Sequence, residues 1–295
     1  MCGYLVATQN YCMNKKISIL YLFLALAVLA IGIFVIALQV GLLFRGDKIE
    51  ESPIQNGQPI ISNVDVFSPA KGSNVVLPFN VSGKARVFES NVNLQIKDAK
   101  TGKIIYEGWA MANSKDMSEF GNFGKEIDFL LSKPESEDIV LEVFWASPKD
   151  GSKLDLNSIP LKINAGNTTA LKLFFNNSYL DPEFSCNRVF PVERIVAETK
   201  APAMMALELL LQGTSFLDIE QGFFTSINPY VEIQSLVIKD GTAKVDFNEQ
   251  LEFQVGGSCR VSAIRSQITE TLKQFPTVKN VIISINGRTE DIIQP

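Results

Sequence analysis

From Ile17 to Phe44 the chain reads ISILYLFLALAVLAIGIFVIALQVGLLF, without one charged residue. A run of this length exceeds the roughly 20 residues that cross a bilayer as a helix. It also exceeds the apolar core of a signal peptide, about 7 to 15 residues. A helix packed on a soluble core keeps a polar face, and this run keeps none. It is therefore expected to form a transmembrane helix. Lys15 and Lys16 stand directly before it, and cytoplasmic flanks carry the excess of Lys and Arg. Residues 1–16 are then a cytoplasmic tail, and everything after Arg45 lies outside the cell membrane. No small-x-small pair sits at the far end of the run, so the anchor is expected to be retained. Cys12 precedes the run and is not placed as a lipoprotein anchor.

Composition narrows what the exported part does. The 295 residues leave room for about two domains beyond the anchor. The 27 Lys and Arg are scattered and the net charge is -5, which excludes the basic face that phosphate neutralisation requires and so a nucleic-acid partner. Histidine is absent altogether. That removes the usual general base of serine and cysteine hydrolases and the common nitrogen ligand of zinc. Carboxylate chemistry remains, and in GKARVFESNVNLQIKDAKTG, residues 83–102, Glu89 is the first candidate. A glycosidase needs a second carboxylate held across a cleft. Nothing near Glu89 supplies one, so Glu89 reads as scaffold with Arg86 as its expected partner. No catalytic residue and no cofactor is assigned.

Residues 45–59, RGDKIEESPIQNGQP, are polar with Gly and Pro and read as a linker. Seven short segments of period two follow: 60–67, 75–83, 91–98, 103–111, 123–131, 138–146 and 158–164. DAKTG at 98–102 and SPKDG at 147–151 supply reversals between them. This spacing predicts an antiparallel β-sandwich over 60–165. Trp109 and Trp145 read first as sandwich packing; an exposed Trp would instead offer a face to a sugar ring. The stretch VFSPAKGSNVVLPFNVSGKARVFESNVNLQIKDAKTG, followed by GNFGKEIDF and VFWASPKDGS, resembles the immunoglobulin-like domain of bacterial spore germination proteins.

From residue 169 to 290 the pattern mixes strands with two helices. ALKLFFNN alternates as a strand, and RVFPVERIVAE follows as an extended or partly paired segment. PAMMALELLLQG opens on Pro202, closes on Gly213 and places Leu207, Leu210 and Leu211 on one face. IQSLVIKDG and TAKVDFN flank Asp240-Gly241, a strong hairpin signal. A second helix from Ser258 to before Pro276 carries Val261, Ile264, Ile268, Leu272 and Phe275 on one stripe, and VKNVIISING is expected to close the sheet. The order implies an α+β domain with two helices packed on one small sheet. LKLFF, VFPVERIV, APAMMALELLLQGT, LVIKDGTAKVDFNEQL and AIRSQITETLKQFPTVKNVIISING resemble the sporulation and germination domain named after the GerM protein. That resemblance implies an extracytoplasmic, non-enzymatic module with a fold like the ring-building domains of secretion-like assemblies.

Asp246, Glu249 and Glu252 lie close in sequence, but VDFNEQLEF lacks the alternating oxygen ligands and Gly of a calcium loop, so no metal is assigned. The sequons at Asn80, Asn167 and Asn176 carry no weight in a bacterial setting. Of the four cysteines, Cys2 and Cys12 fall on the reducing side and Cys186 and Cys259 on the exported side, so a Cys186–Cys259 disulfide is expected, against the alternative of two unpaired thiols. The pair falls outside the general motif of the resembled domain. The function expected is a non-catalytic, membrane-anchored envelope scaffold that contacts the membrane through its helix and engages envelope proteins or further copies of itself. A peptidoglycan-binding protein or carboxylate-dependent wall hydrolase is the alternative.

Overall fold

The computed structural model describes residues 54–55, 58–59, 62–114, 116, 118–164 and 166–294. The apolar run 17–44, the tail 1–16 with Cys2 and Cys12, and most of the linker 45–59 lie outside the described residues. No helix among the described residues is long and apolar enough to cross a membrane. The chain divides into two compact units, 1–61 and 62–295. In the first, Ile54–Gln55 (β1) pairs antiparallel with Gln58–Pro59 (β2).

The second unit begins with a two-sheet sandwich. Val64–Ser68 (β3), Phe79–Ala85 (β5) and Gly121–Ile127 (β8) form one sheet in the order β3-β5-β8. Asn74–Val75 (β4), Asn91–Asp98 (β6), Ile104–Met111 (β7), Asp138–Ala146 (β10) and Lys153–Ile163 (β11) form the other, in the order β4-β11-β10-β6-β7. Alternation does the sorting: along β6, Val92, Leu94 and Ile96 are buried, whereas Asn93, Gln95 and Lys97 face outward. The inward sets meet as one core that includes Val64, Val81, Ile105, Phe123, Leu141 and Leu161. Gly83 sits where the sheet is tightest, because a Cβ there would lie 2.1 Å from the Asp65 carbonyl oxygen. Three segments differ from expectation. The segment 75–83 breaks between Val75 and Phe79 into β4 and β5, which lie in different sheets, and β4 pairs parallel with β11. β11 starts at Lys153 rather than near Ser158, running straight out of the SPKDG turn. The segment 123–131 breaks at Asp128 into β8 and a separate strand of two residues, Phe129–Leu130 (β9).

The α+β part comprises Thr168–Asn177 (β12), Phe190–Ala197 (β13), Pro202–Gln212 (α1), Phe216–Glu220 (α2), Phe223–Phe224 (β14), Ile233–Lys239 (β15), Thr242–Phe247 (β16), Ser258–Lys273 (α3) and Asn280–Ile285 (β17). Asp240 and Gly241 both adopt positive φ, 50° and 78°, as the two-residue hairpin turn demands. On α1 Leu207 and Leu210 are fully buried, and on α3 Val261, Ile264, Ile268 and Leu272 are buried with Phe275 packed beside them.

The expectation of two helices on one sheet needs correction. The strands form two sheets, β14-β12-β13-β9 and β15-β16-β17, and α2 is a third, short helix. The free edge of β12 is occupied by side chains at the C-terminal end of α3, from Thr271 in its last turn and from Gln274, its C-cap. The Phe174 N–H donates to Thr271 Oγ1 at 3.1 Å, and Gln274 accepts from the Lys172 N–H at 2.8 Å while donating to the Lys172 carbonyl at 2.7 Å. Backbone groups satisfied in this way offer no ladder to another strand. The α2 helix is set by a capping box, in which Ser215 accepts from the Asp218 N–H and the Asp218 carboxylate accepts from the Ser215 N–H.

Candidate site at the junction of the two modules

β8 pairs with β5 as far as Ile127, and two residues later β9 joins β13 instead, with Phe129 opposite Val196 and Leu130 opposite Ile195. The exchange crosses both cores. Ile195, from the α+β part, is buried in the sandwich core, and Phe129 packs against both clusters. Arg194, next along β13, is only 3% exposed and ion-pairs with the buried carboxylate of Asp218. Its guanidinium also lies 5.5 Å from the centre of the Phe129 ring. Glu107 on β7 accepts from the Leu217 N–H at the start of α2 at 2.7 Å. A backbone ladder, a shared apolar contact and a buried ion pair thus hold the same junction.

Beside it lies a cleft of about 680 Å3 between the outer face of β6 and β7 and the α1–α2 connection. Its lining includes Asn93, Gln95, Glu107 and Trp109 from the sandwich and Gln212 and Phe216 from the other module. Trp109 is 58% exposed and Phe216 63% exposed. Tyr106, also on the lining, is otherwise buried, and burial together with the nearby Asp128 carboxylate pushes its phenol above the usual tyrosine range.

The residues singled out by sequence scatter. Glu89 is exposed, with φ 53°, in a short turn at 88–90. Arg86 is not its partner: the guanidinium binds Asn63 Oδ1 at 3.0 and 3.3 Å and lies 5.0 Å from the Phe120 ring centre. Trp145 packs on the sandwich core and donates from Nε1 to Asp155 Oδ2 at 2.8 Å. Trp109 does not pack inside, because alternation along β7 points it outward. Asp246 accepts from Ser284 and the Gly287 N–H, Glu249 from Asn286, and Glu252 pairs with Arg288, so the three acids serve separate partners. Asn80 and Asn167 are exposed. Asn176 is buried, donating to the carbonyls of Cys186 and Arg188 and accepting from Gln267. Cys186 and Cys259 are joined by a disulfide, with Cα atoms 4.9 Å apart. The junction residues Arg194, Asp218 and Glu107 carry no local sequence signal, since their partners lie 24 and 110 positions away. The S-x-x-D spacing of Ser215 and Asp218 was the readable trace of α2.

Two family comparisons bear on the two modules separately. Residues 63–152 match the family described as the immunoglobulin-like domain of bacterial spore germination, and residues 172–291 match the family described as sporulation and spore germination. Each match covers one module and less than half of the chain. No curated protein matches it. Among solved structures, the chain is similar to the tandem GerMN domains of the sporulation protein GerM from Bacillus subtilis, at 24% identity and a TM-score of 0.35, over 43% of this chain and 42% of that one. It is also similar to the first GerMN domain of the same protein alone, at 20% identity and a TM-score of 0.32, over 43% of this chain and 92% of that one. The chain thus spans less than half of the tandem structure. The module matching the immunoglobulin-like family contributes β9, Glu107 and Trp109 to the junction, and the module matching the sporulation and spore germination family contributes Arg194, Asp218 and Phe216.

Proposed function

We propose that the chain is a non-catalytic scaffold of the cell envelope in sporulation or germination. In this reading, residues 17–44 anchor it in the cell membrane with residues 1–16 in the cytoplasm. The two modules stand outside and contact envelope proteins or further copies of the chain. The observation that carries the reading is the junction. A strand of one module completed by the other, with a buried ion pair beside it, presents two surfaces in fixed relation, which suits assembly. The families of both modules support the sporulation and germination setting. A chain without histidine lacks the common general base, and Glu107, Asp218, Asp246, Glu249 and Glu252 serve structural partners.

The test is incubation of the purified chain with peptidoglycan. The proposal expects no muropeptide release. Release that is abolished by replacing a single carboxylate would contradict it. Protease added to intact spheroplasts is expected to digest both modules and spare residues 1–16; protection of the modules would reverse the orientation.

A further inference from the structure

We infer that the cleft beside the junction is a binding site for an uncharged oligosaccharide. It stands on the cleft alone and does not depend on the scaffold reading. The volume, about 680 Å3, falls within the range of about 300–1,000 Å3 typical of small-ligand sites. Strand register places Trp109 opposite Asn93 and Glu107 opposite Gln95, so an exposed indole lies beside two amides on one outward face. Phe216 offers a second exposed ring from the other module.

The polar groups are poised for neutral donors and acceptors. Asn93 is half-buried, and neither its amide nor the side chain of Gln212 has a hydrogen-bond partner among the described residues. Gln95 spends its oxygen on Lys153 at 2.6 Å, which leaves its NH2 free, and Glu107 uses one oxygen on Leu217. A side-chain amide both donates and accepts, as a sugar hydroxyl does, and an aromatic face suits the C–H face of a pyranose ring. Among the lining residues charge nearly cancels: Arg194 is neutralised by Asp218, leaving Glu107 and Lys125, while Lys153, beside Gln95 and Phe144, is paired with Glu142, which it shares with Lys97. With each of these cations facing a carboxylate or standing alone, the cleft lacks the clustered basic side chains that an anionic polymer requires. A proline-rich peptide also uses aromatic grooves, but its backbone carbonyls call for donors alone, whereas the two-way amides match hydroxyls.

The full chain, purified in a detergent without a sugar headgroup, would be titrated with the tetramer of β-1,4-linked N-acetylglucosamine and with cellotetraose. Tryptophan fluorescence and calorimetry provide the readouts. Saturable binding of at least one tetramer is expected, and a preference between them reports whether acetamido groups are read. Trp109→Ala is expected to weaken binding by about tenfold or more, and Asn93→Ala by a smaller factor, with unchanged thermal unfolding. No saturable binding of either tetramer would overturn the inference. Equal binding by the Trp109→Ala variant, or saturation by a proline-rich peptide in place of both sugars, would also do so.

Discussion

Arg194 concentrates the energetics of the junction in one side chain. Replacing it with alanine strands the Asp218 carboxylate, 7% exposed, without its cation, and breaking a buried pair from one side costs roughly 3–5 kcal/mol. The Ser215 N–H still serves Asp218, so a loss near 3 kcal/mol is expected in urea unfolding; a change below about 1 kcal/mol would mean the pair contributes no more than a surface ion pair does. Asp98 is a second single-residue clamp. Burial pushes its carboxyl up, but hydrogen bonds from the Thr101 N–H and hydroxyl and from the Ser136 and Glu135 N–H groups outweigh it and hold the pKa at about 2. Its folded value lies below the unfolded one of about 3.9. Its stabilisation is therefore complete above that value and lost as pH falls from about 4 towards 2. Asp98→Asn is expected to lower the urea midpoint at pH 7 and to match the parent near pH 2. A gap that stays constant over this range would contradict the assignment.

At the scale of elements, segments whose partners follow directly in the chain were legible before the structure. The β15–β16 hairpin announces its turn in Asp240-Gly241, and the stripe of α3 is visible from Val261 to Phe275. The strand β9 was not legible. It has two residues, Phe129 and Leu130, inside an apolar stretch that reads as one strand with β8, and its partner β13 lies 65 positions on. The split of the α+β strands into two sheets was equally hidden, because it depends on Thr271 and Gln274 reaching an edge about 100 positions away. Trp109 was misplaced as packing because alternation gives two faces without saying which is solvated. The disulfide belongs to this scale as well. It ties the loop after β12 to the first turn of α3 across 73 positions, and closing such a loop contributes up to about 4 kcal/mol. Thiol labelling of the unreduced region from residue 62 onward is expected to find no reactive cysteine, and reduction is expected to lower its thermal midpoint. Two reactive thiols before reduction would contradict the bridge.

The whole unit 62–295 behaves, on this account, as one body. The sandwich core contains Ile195 from the other module, the second sheet contains β9 from the sandwich, and Arg194, Asp218 and Glu107 close the seam. Domains joined by a mere linker unfold separately, whereas elements that share a core unfold together. A rigid pair also keeps the cleft walls, Trp109 on one side and Phe216 on the other, in register, so seam and site should fail together. Scanning calorimetry of residues 62–295, as parent and as Arg194→Ala, tests this most directly. One cooperative transition is predicted for the parent, with Arg194→Ala either moving it down as a whole or splitting it in two. Two resolved transitions in the parent, with the variant shifting only one, would contradict the account.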